Sequence, residues 1–323
     1  MHNQKPNIFE ANILYLILGF FLLFLGYLAQ SREIYSGLLI TEFILIFLPN
    51  IIFLKVRGYS LKYVLRLNRI SFKQILYIFG IMIFSYPIAV FINAMFLAII
   101  NNFSSALPTT VPIPANTGEF ILGFFVIAIT PGICEEVMFR GTISKAYDNL
   151  GYRKSILISA ILFGFFHFNI MNLVGPIFLG VILGILAHKA NSIYASMLGH
   201  TLNNGIALSL GYLMTKLMPL IEESSSDELM MTDNIQFIIS LLFFAIIAAV
   251  CLSILLILLR NFPESKVYDD SLYLGELTFG RDKYIFVKYI PIVVVLTPNN
   301  IITGFPQYIL HNVILSISEE FRI

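Results

Sequence analysis

The strongest constraint on this chain is a succession of apolar runs, each about as long as a helix that crosses a bilayer. The hydrocarbon core takes about 20 apolar residues in an α-helix. A backbone in lipid must satisfy its own N–H and C=O groups, which favours helices or closed barrels. Such runs cover residues 12–30, 34–54, 74–101, 118–140, 155–170, 173–189, 191–213 and 235–259. They predict an all-α protein, a polytopic transmembrane helical bundle of about eight spans. The fifth and sixth runs are short, and a re-entrant pair is the alternative for them. Composition agrees, with 58% hydrophobic and 12% charged residues, where a soluble domain is about one-quarter charged. The net charge of +1 points to no nucleic-acid partner. Cys134 and Cys251 both lie in apolar runs, which gives neither a disulfide framework nor a CxxC metal pattern. The first run is long for a signal peptide and has only Lys5 before it in basic charge, so it reads as an uncleaved span. The closing "EEFRI" is not a prenylation box.

Three parts follow. Residues 1–73 hold two spans and a basic loop, 74–260 form the helical core, and 261–323 are an extension of mixed character with no assigned role. Within that extension, "YIFVKYIPIVVVLT" is short for a span and contains Lys288 and Pro291, which favours a packed strand or an interfacial segment. Lys55, Arg57, Lys62, Arg66, Arg69 and Lys73 follow the second span; Lys145, Arg153 and Lys154 follow the fourth; Lys189 follows the sixth. The connection "NNFSSALPTTVPIPANTG" has no basic residue, and "KLMPLIEESSSDELMMTDN" is acidic. This alternation places the N-terminus in the cytoplasm. The 55–73 stretch has apolar residues at helical spacing and reads either as an amphipathic helix on the inner leaflet or as a basic loop.

Charge inside a span costs about 2.5–3.5 kcal/mol on insertion scales, so such residues tend to have partners and a task. The fourth span ends in "ITPGICEEVMFRG", 129–141. Successive helical residues are about 100° apart. Glu136 and Arg140 therefore share a face at i and i+4 and can pair. Glu135 points elsewhere, towards its own i+4 neighbour Phe139. Pro131 and Gly132 stand just upstream, where a kink would open space beside Glu135. "ILFGFFHF" places His167 in the fifth span, and "SMLGHTLNNG" places His200 and Asn204 on one face of the seventh. At 1.5 Å per residue, His167 lies about 18 Å past Ser155, His200 about 13–14 Å past Asn191, and Glu135 about 15 Å before Lys145. These depths allow the three to meet in one cavity.

A carboxylate and a histidine can hold and deprotonate a water, while a second histidine and an amide can donate to a developing oxyanion. Glu135 and His167 suit the first task, His200 and Asn204 the second, with Glu136 and Arg140 fixing the helix. No cofactor is required by this chemistry. Zinc held by Glu135, His167 and His200 is the alternative, although HExxH is absent and an asparagine is a poor zinc ligand. Cys134, beside a carboxylate, is a weaker candidate for a nucleophile.

These residues resemble the motifs of the CPBP family, the CAAX proteases and bacteriocin-processing enzymes. "EEVMFRG" looks like its EExxxR motif, "FGFFH" matches FxxxH at Phe163 and His167, and "HTLNN" matches HxxxN at His200 and Asn204. The three stand in the family's order, over roughly 75–210. The resemblance implies an intramembrane glutamic endopeptidase similar to the type II CAAX prenyl protease. In it Glu135 and His167 would activate water, and His200 and Asn204 would form the oxyanion site. The partners implied are membrane lipid and a peptide or protein substrate; the location implied is a prokaryotic plasma membrane. Two other readings remain open on the residues alone. A proton-coupled carrier would also place Glu, His and Arg in the membrane, but no internal repeat accompanies them. A bacteriocin self-immunity protein without enzymatic activity is the other.

Overall fold

The computed structural model describes residues 5–101, 112–222 and 233–265. The expectations for "YIFVKYIPIVVVLT" and for most of the acidic connection lie outside those residues. Among the described residues there is no strand. Eight longer helices follow one another: α1 (Ile8–Arg32), α2 (Ile34–Val56), α3 (Phe72–Asn101), α4 (Thr117–Leu150), α5 (Tyr152–Phe166), α6 (Val174–Lys189), α7 (Ile193–Glu222) and α8 (Asp233–Arg260). Helices α1 to α4 and the 239–260 part of α8 are long and apolar enough to cross a membrane. Helices α5 and α6 have 15 and 16 residues, about 22–24 Å each, which is short of a full crossing. They pack on each other as a hairpin closed by the turn at Ile170–Asn172. The chain is an integral membrane protein built as an all-α polytopic bundle.

The starts of the helices follow local chemistry. Asn7 caps α1 by accepting from the Glu10 backbone while the Glu10 carboxylate returns the bond. Glu33 and Asn116 cap α2 and α4 in the same manner, through side-chain acceptors. The sides of the helices are inverted relative to a soluble protein. Leu242, Phe243, Phe244, Ile246, Val250 and Ile257 of α8 are exposed, as expected of a surface that meets lipid tails. The centre carries polar groups instead. Tyr147 donates to Asn12, Tyr15 to the Leu162 carbonyl and Ser159 to the Phe139 carbonyl, so these buried polar groups join one helix to another.

Basic connections gather at one end of the bundle. There Arg66 pairs with Asp148, Asn68 donates to the Asn191 carbonyl, Lys189 pairs with Glu264 and Gln74 donates to the Pro263 carbonyl. These basic connections thus share one geometric end of the bundle. The 55–73 stretch is a folded loop there, with a single helical turn at Leu61–Val64. Val64 and Leu65 are buried with Val137 and Ile193. Tyr59, Val64 and Leu65 pack on protein, whereas Val56 and Leu67 stay exposed, so the stretch presents no continuous apolar helix face.

At the centre of the bundle α4 packs against α2 on one side and α7 on the other, while α3 packs against α6, α7 and α8. Small residues permit the closest approaches. A Cβ on Gly180 of α6 would stand 2.8 Å from the Ala160 Cα of α5. Gly180→Val is expected to destabilise the α5–α6 hairpin by about 1–3 kcal/mol through overpacking. A lowered melting temperature of the purified protein in detergent, against Val181→Leu as control, checks this.

Candidate active site

Helix α4 is not regular. Widened π-helical turns at Phe124–Ile129 and Val137–Ile143 flank the α-helical segment Thr130–Glu136, which carries both carboxylates. Such turns alter the helical register and are frequent at functional sites. Pro131 has no N–H to give the Ile127 carbonyl four residues back. Asn204 of α7 donates to that carbonyl through Nδ2, at 3.0 Å. Gly132 then lets α7 come close. A Cβ there would lie 2.3 Å from Thr201 Oγ1 and 3.0 Å from the Thr201 backbone nitrogen. Proline and glycine, side by side, thus seat the His200–Asn204 turn of α7 against α4.

Beside this seam lies a buried ionic cluster. Arg140 and Glu136 form their i,i+4 pair at 2.7 Å, with side chains 1% and 0% exposed. The guanidinium also donates to the Gly180 carbonyl at 3.1 Å and stands 4.4 Å above the centre of the Phe163 ring. The oxygen of Glu136 that meets Arg140 also meets His200 Nδ1, at 2.9 Å. His200 Nε2 is thereby turned towards Glu135, whose Oε2 lies 3.9 Å away. Phe163 spaces the two imidazoles, with its ring centre 5.5 Å from that of His200 and 4.9 Å from that of His167, edge to face with both.

The structure joins Glu135, Glu136, Arg140, Phe163 and His200 in one network. Asn204 adjoins it, bonded to the α4 backbone and accepting from Asn203 at 3.1 Å. One of its amide protons bonds the carbonyl, and the other remains for a further acceptor. His167 is placed differently from the expectation. Helix α5 ends at Phe166, and His167 lies exposed on the turn beyond it. The edge-to-face aromatic cluster of Phe139, Phe163 and Phe166 packs at the end of α5 just before that turn. His167 Nδ1 is 2.9 Å from the Phe163 carbonyl. A carbonyl only accepts, so Nδ1 carries the proton and Nε2 of the neutral ring is a free acceptor. His167 makes no hydrogen bond or ion pair with Glu135 in this structure. Among the described residues, no three His, Cys, Asp or Glu side chains are grouped to hold a metal ion. The alternative zinc set of Glu135, His167 and His200 is therefore not assembled as a cage.

The sequence reading missed Glu42. It lies in α2, 5% exposed, on a π-helical turn at Ile40–Phe47 that packs on the Thr130–Glu136 segment of α4, which brings its carboxyl within range of that of Glu135. The available signal was a carboxyl inside a span with no cation at its helical neighbours, which are Leu38, Leu39, Leu45 and Ile46.

The family model described as "Type II CAAX prenyl endopeptidase Rce1-like" matches residues 117–206. The match runs from the start of α4 through the Asn204 turn of α7, and so covers every motif residue named above. The resemblance to the CAAX proteases thus holds over the segment that builds the site, and it supports a CAAX-type intramembrane peptidase in general. No curated protein and no solved structure matches the chain.

The ionic cluster makes Arg140 the cation on which the site's geometry rests. Arg140→Met leaves Glu136 buried without its countercharge and is expected to cost about 3–5 kcal/mol. Arg140→Lys keeps the charge but cannot reach Glu136, the Gly180 carbonyl and the Phe163 face together. Melting of both variants in detergent checks this: Met should be strongly destabilised and Lys only partly restored.

Proposed function

We propose that the chain is an intramembrane endopeptidase that hydrolyses a peptide bond of a membrane-associated substrate with a water activated by Glu135. The observation that carries this reading is the division of labour between neighbouring glutamates. Glu136 is engaged by Arg140 and His200 at 2.7 and 2.9 Å, whereas Oε2 of Glu135 receives no hydrogen bond and faces His200 Nε2. A carboxylate with no guanidinium bound to it is the one able to take a proton from water.

Glu135 removes the water proton as the oxygen attacks the scissile carbonyl. His167 assists by accepting from the same water at Nε2, which its bond to the Phe163 carbonyl leaves unprotonated. The His167 turn must close on Glu135 for this, a movement that substrate binding would drive. His200 Nε2 and the second amide proton of Asn204 donate to the oxyanion. Glu136 stands on the far side of that ring, 2.9 Å from Nδ1, and fixes its orientation. Glu135 then returns its proton to the leaving nitrogen. Phe163 and Arg140 hold the imidazole and Glu136 in place, and no metal takes part.

The family match favours a peptide ending in a prenylated cysteine followed by three residues. A bacteriocin-type peptide is the second substrate class. The basic loops favour a cytoplasmic N-terminus, and the resemblance to the CPBP family favours a prokaryotic plasma membrane.

Glu135→Gln should lower kcat by at least about a thousandfold, the scale of losing general-base catalysis together with water positioning, while the melting temperature in detergent stays near that of the wild type. Release of product from a quenched prenylated peptide in liposomes is the readout. Wild-type turnover by Glu135→Gln would sink the reading. Cleavage by the wild type should also persist after extended treatment with EDTA and 1,10-phenanthroline; loss that zinc restores would replace the water-activating glutamate by a metal.

A further inference from the structure

Glu42 has no part in the scheme above, yet its position is hard to explain as packing. It is 5% exposed in the middle of α2, about 12 Å along the helix from Ile34. Its i±3 and i±4 neighbours are aliphatic. No N–H or O–H donor reaches its Oε2, and the same is true of Glu135 Oε2. The charged groups that bear on Glu135 are Glu42 from α2, His200 from α7 and Arg140 from its own helix. Arg140 is spent on Glu136, and no cation bridges the two facing carboxyls.

Two neighbouring carboxyls with no Arg or Lys between them can satisfy each other by an O–H of one donating to an oxygen of the other. Each side chain then has the partner it otherwise lacks. The pair keeps one negative charge, which is the charge a general base needs. We propose that Glu42 is a positioning residue for Glu135: a carboxyl–carboxyl hydrogen bond from α2 holds the Glu135 side chain beside His200. This rests on the reading of Glu135 as the group that activates water. During turnover Glu135 accepts the proton of the water and passes it to the leaving nitrogen, while the proton shared with Glu42 stays where it was. The first two spans thereby supply the active site with a carboxyl, although the matched segment begins only at residue 117.

A purely structural role predicts the opposite of a functional one at this position. Replacing a buried carboxyl in a span by an apolar residue of similar size should be tolerated or stabilising. Glu42→Leu removes the bond to Glu135 and is expected to lower kcat by about 10- to 100-fold, the cost of a misplaced catalytic group, with KM nearly unchanged. Glu42→Gln offers an amide N–H in place of the O–H and should recover most of the lost kcat. Glu42→Asp, one methylene shorter, should not. The assay is release of product from the quenched prenylated peptide and its unprenylated counterpart in liposomes, with melting in detergent measured in parallel. Wild-type kcat in Glu42→Leu, a loss confined to KM, or a Gln variant no better than Leu would overturn the proposal. Should Leu not fold, the Gln and Asp pair decides it: Asp equal to or better than Gln overturns it. Glu135→Gln separates this failure from that of the underlying reading. If that variant is dead and Glu42→Leu is fully active, only the role of Glu42 falls. If the wild type releases no product from either peptide, or Glu135→Gln is fully active, both fall.

Discussion

The site depends on one buried cation. Arg140 sits in the bundle with 1% of its side chain exposed, and its three contacts are of different kinds. It pairs with a carboxylate one turn back on its own helix, donates to a backbone carbonyl of α6 and stands on an aromatic face of α5. A guanidinium can serve these together because it is planar, forked and always charged. Through Glu136 it sets the His200 ring, and through Phe163 it bears on the element that ends in His167. Four helices are thus referred to a single charge whose desolvation is costly unless all of its partners are present.

Around that charge the helices are locally imperfect in a consistent way. Helix α4 widens into π turns on both sides of Glu135 and Glu136, and α2 does so where Glu42 stands. Pro131 withholds a backbone donor, and Gly132 removes the side chain that would keep α7 away. An unbroken helix in lipid satisfies its own backbone and presents little to a substrate. Interrupting it provides carbonyls and close backbone approaches, and a neighbouring side chain such as Asn204 takes up the hydrogen bond that proline leaves open. Three of the π turns lie where chemistry is proposed and a fourth, at Leu22–Gly26, lies in α1, while the lipid-facing α8 is regular.

The three intramembrane carboxyls around the site differ by partner, not by residue type. Glu136 has a cation and an imidazole, Glu135 an imidazole at longer range and a facing carboxyl, and Glu42 only that carboxyl. This gradation suits one structural anion, one reactive group and one group that locates it.

The sequence by itself determined the class of fold, the number and order of long helices, and the end of the bundle to which the basic loops belong. These follow from hydrophobic run length and charge alternation, which are local. It also separated Glu136 from Glu135, because an i,i+4 pair is set by helical geometry alone. The ordered motifs pointed to Phe163, His167, His200 and Asn204. Only the tertiary structure decided which ring nitrogen of His200 meets which glutamate, that Phe163 stands between the two histidines, that His167 lies past the end of its helix, and that Glu42 faces Glu135. Residue 42 and residue 135 share no period, spacing or motif. Their meeting depends on how α2 and α4 pack, and packing angles and depths between helices leave no trace in either helix's own sequence.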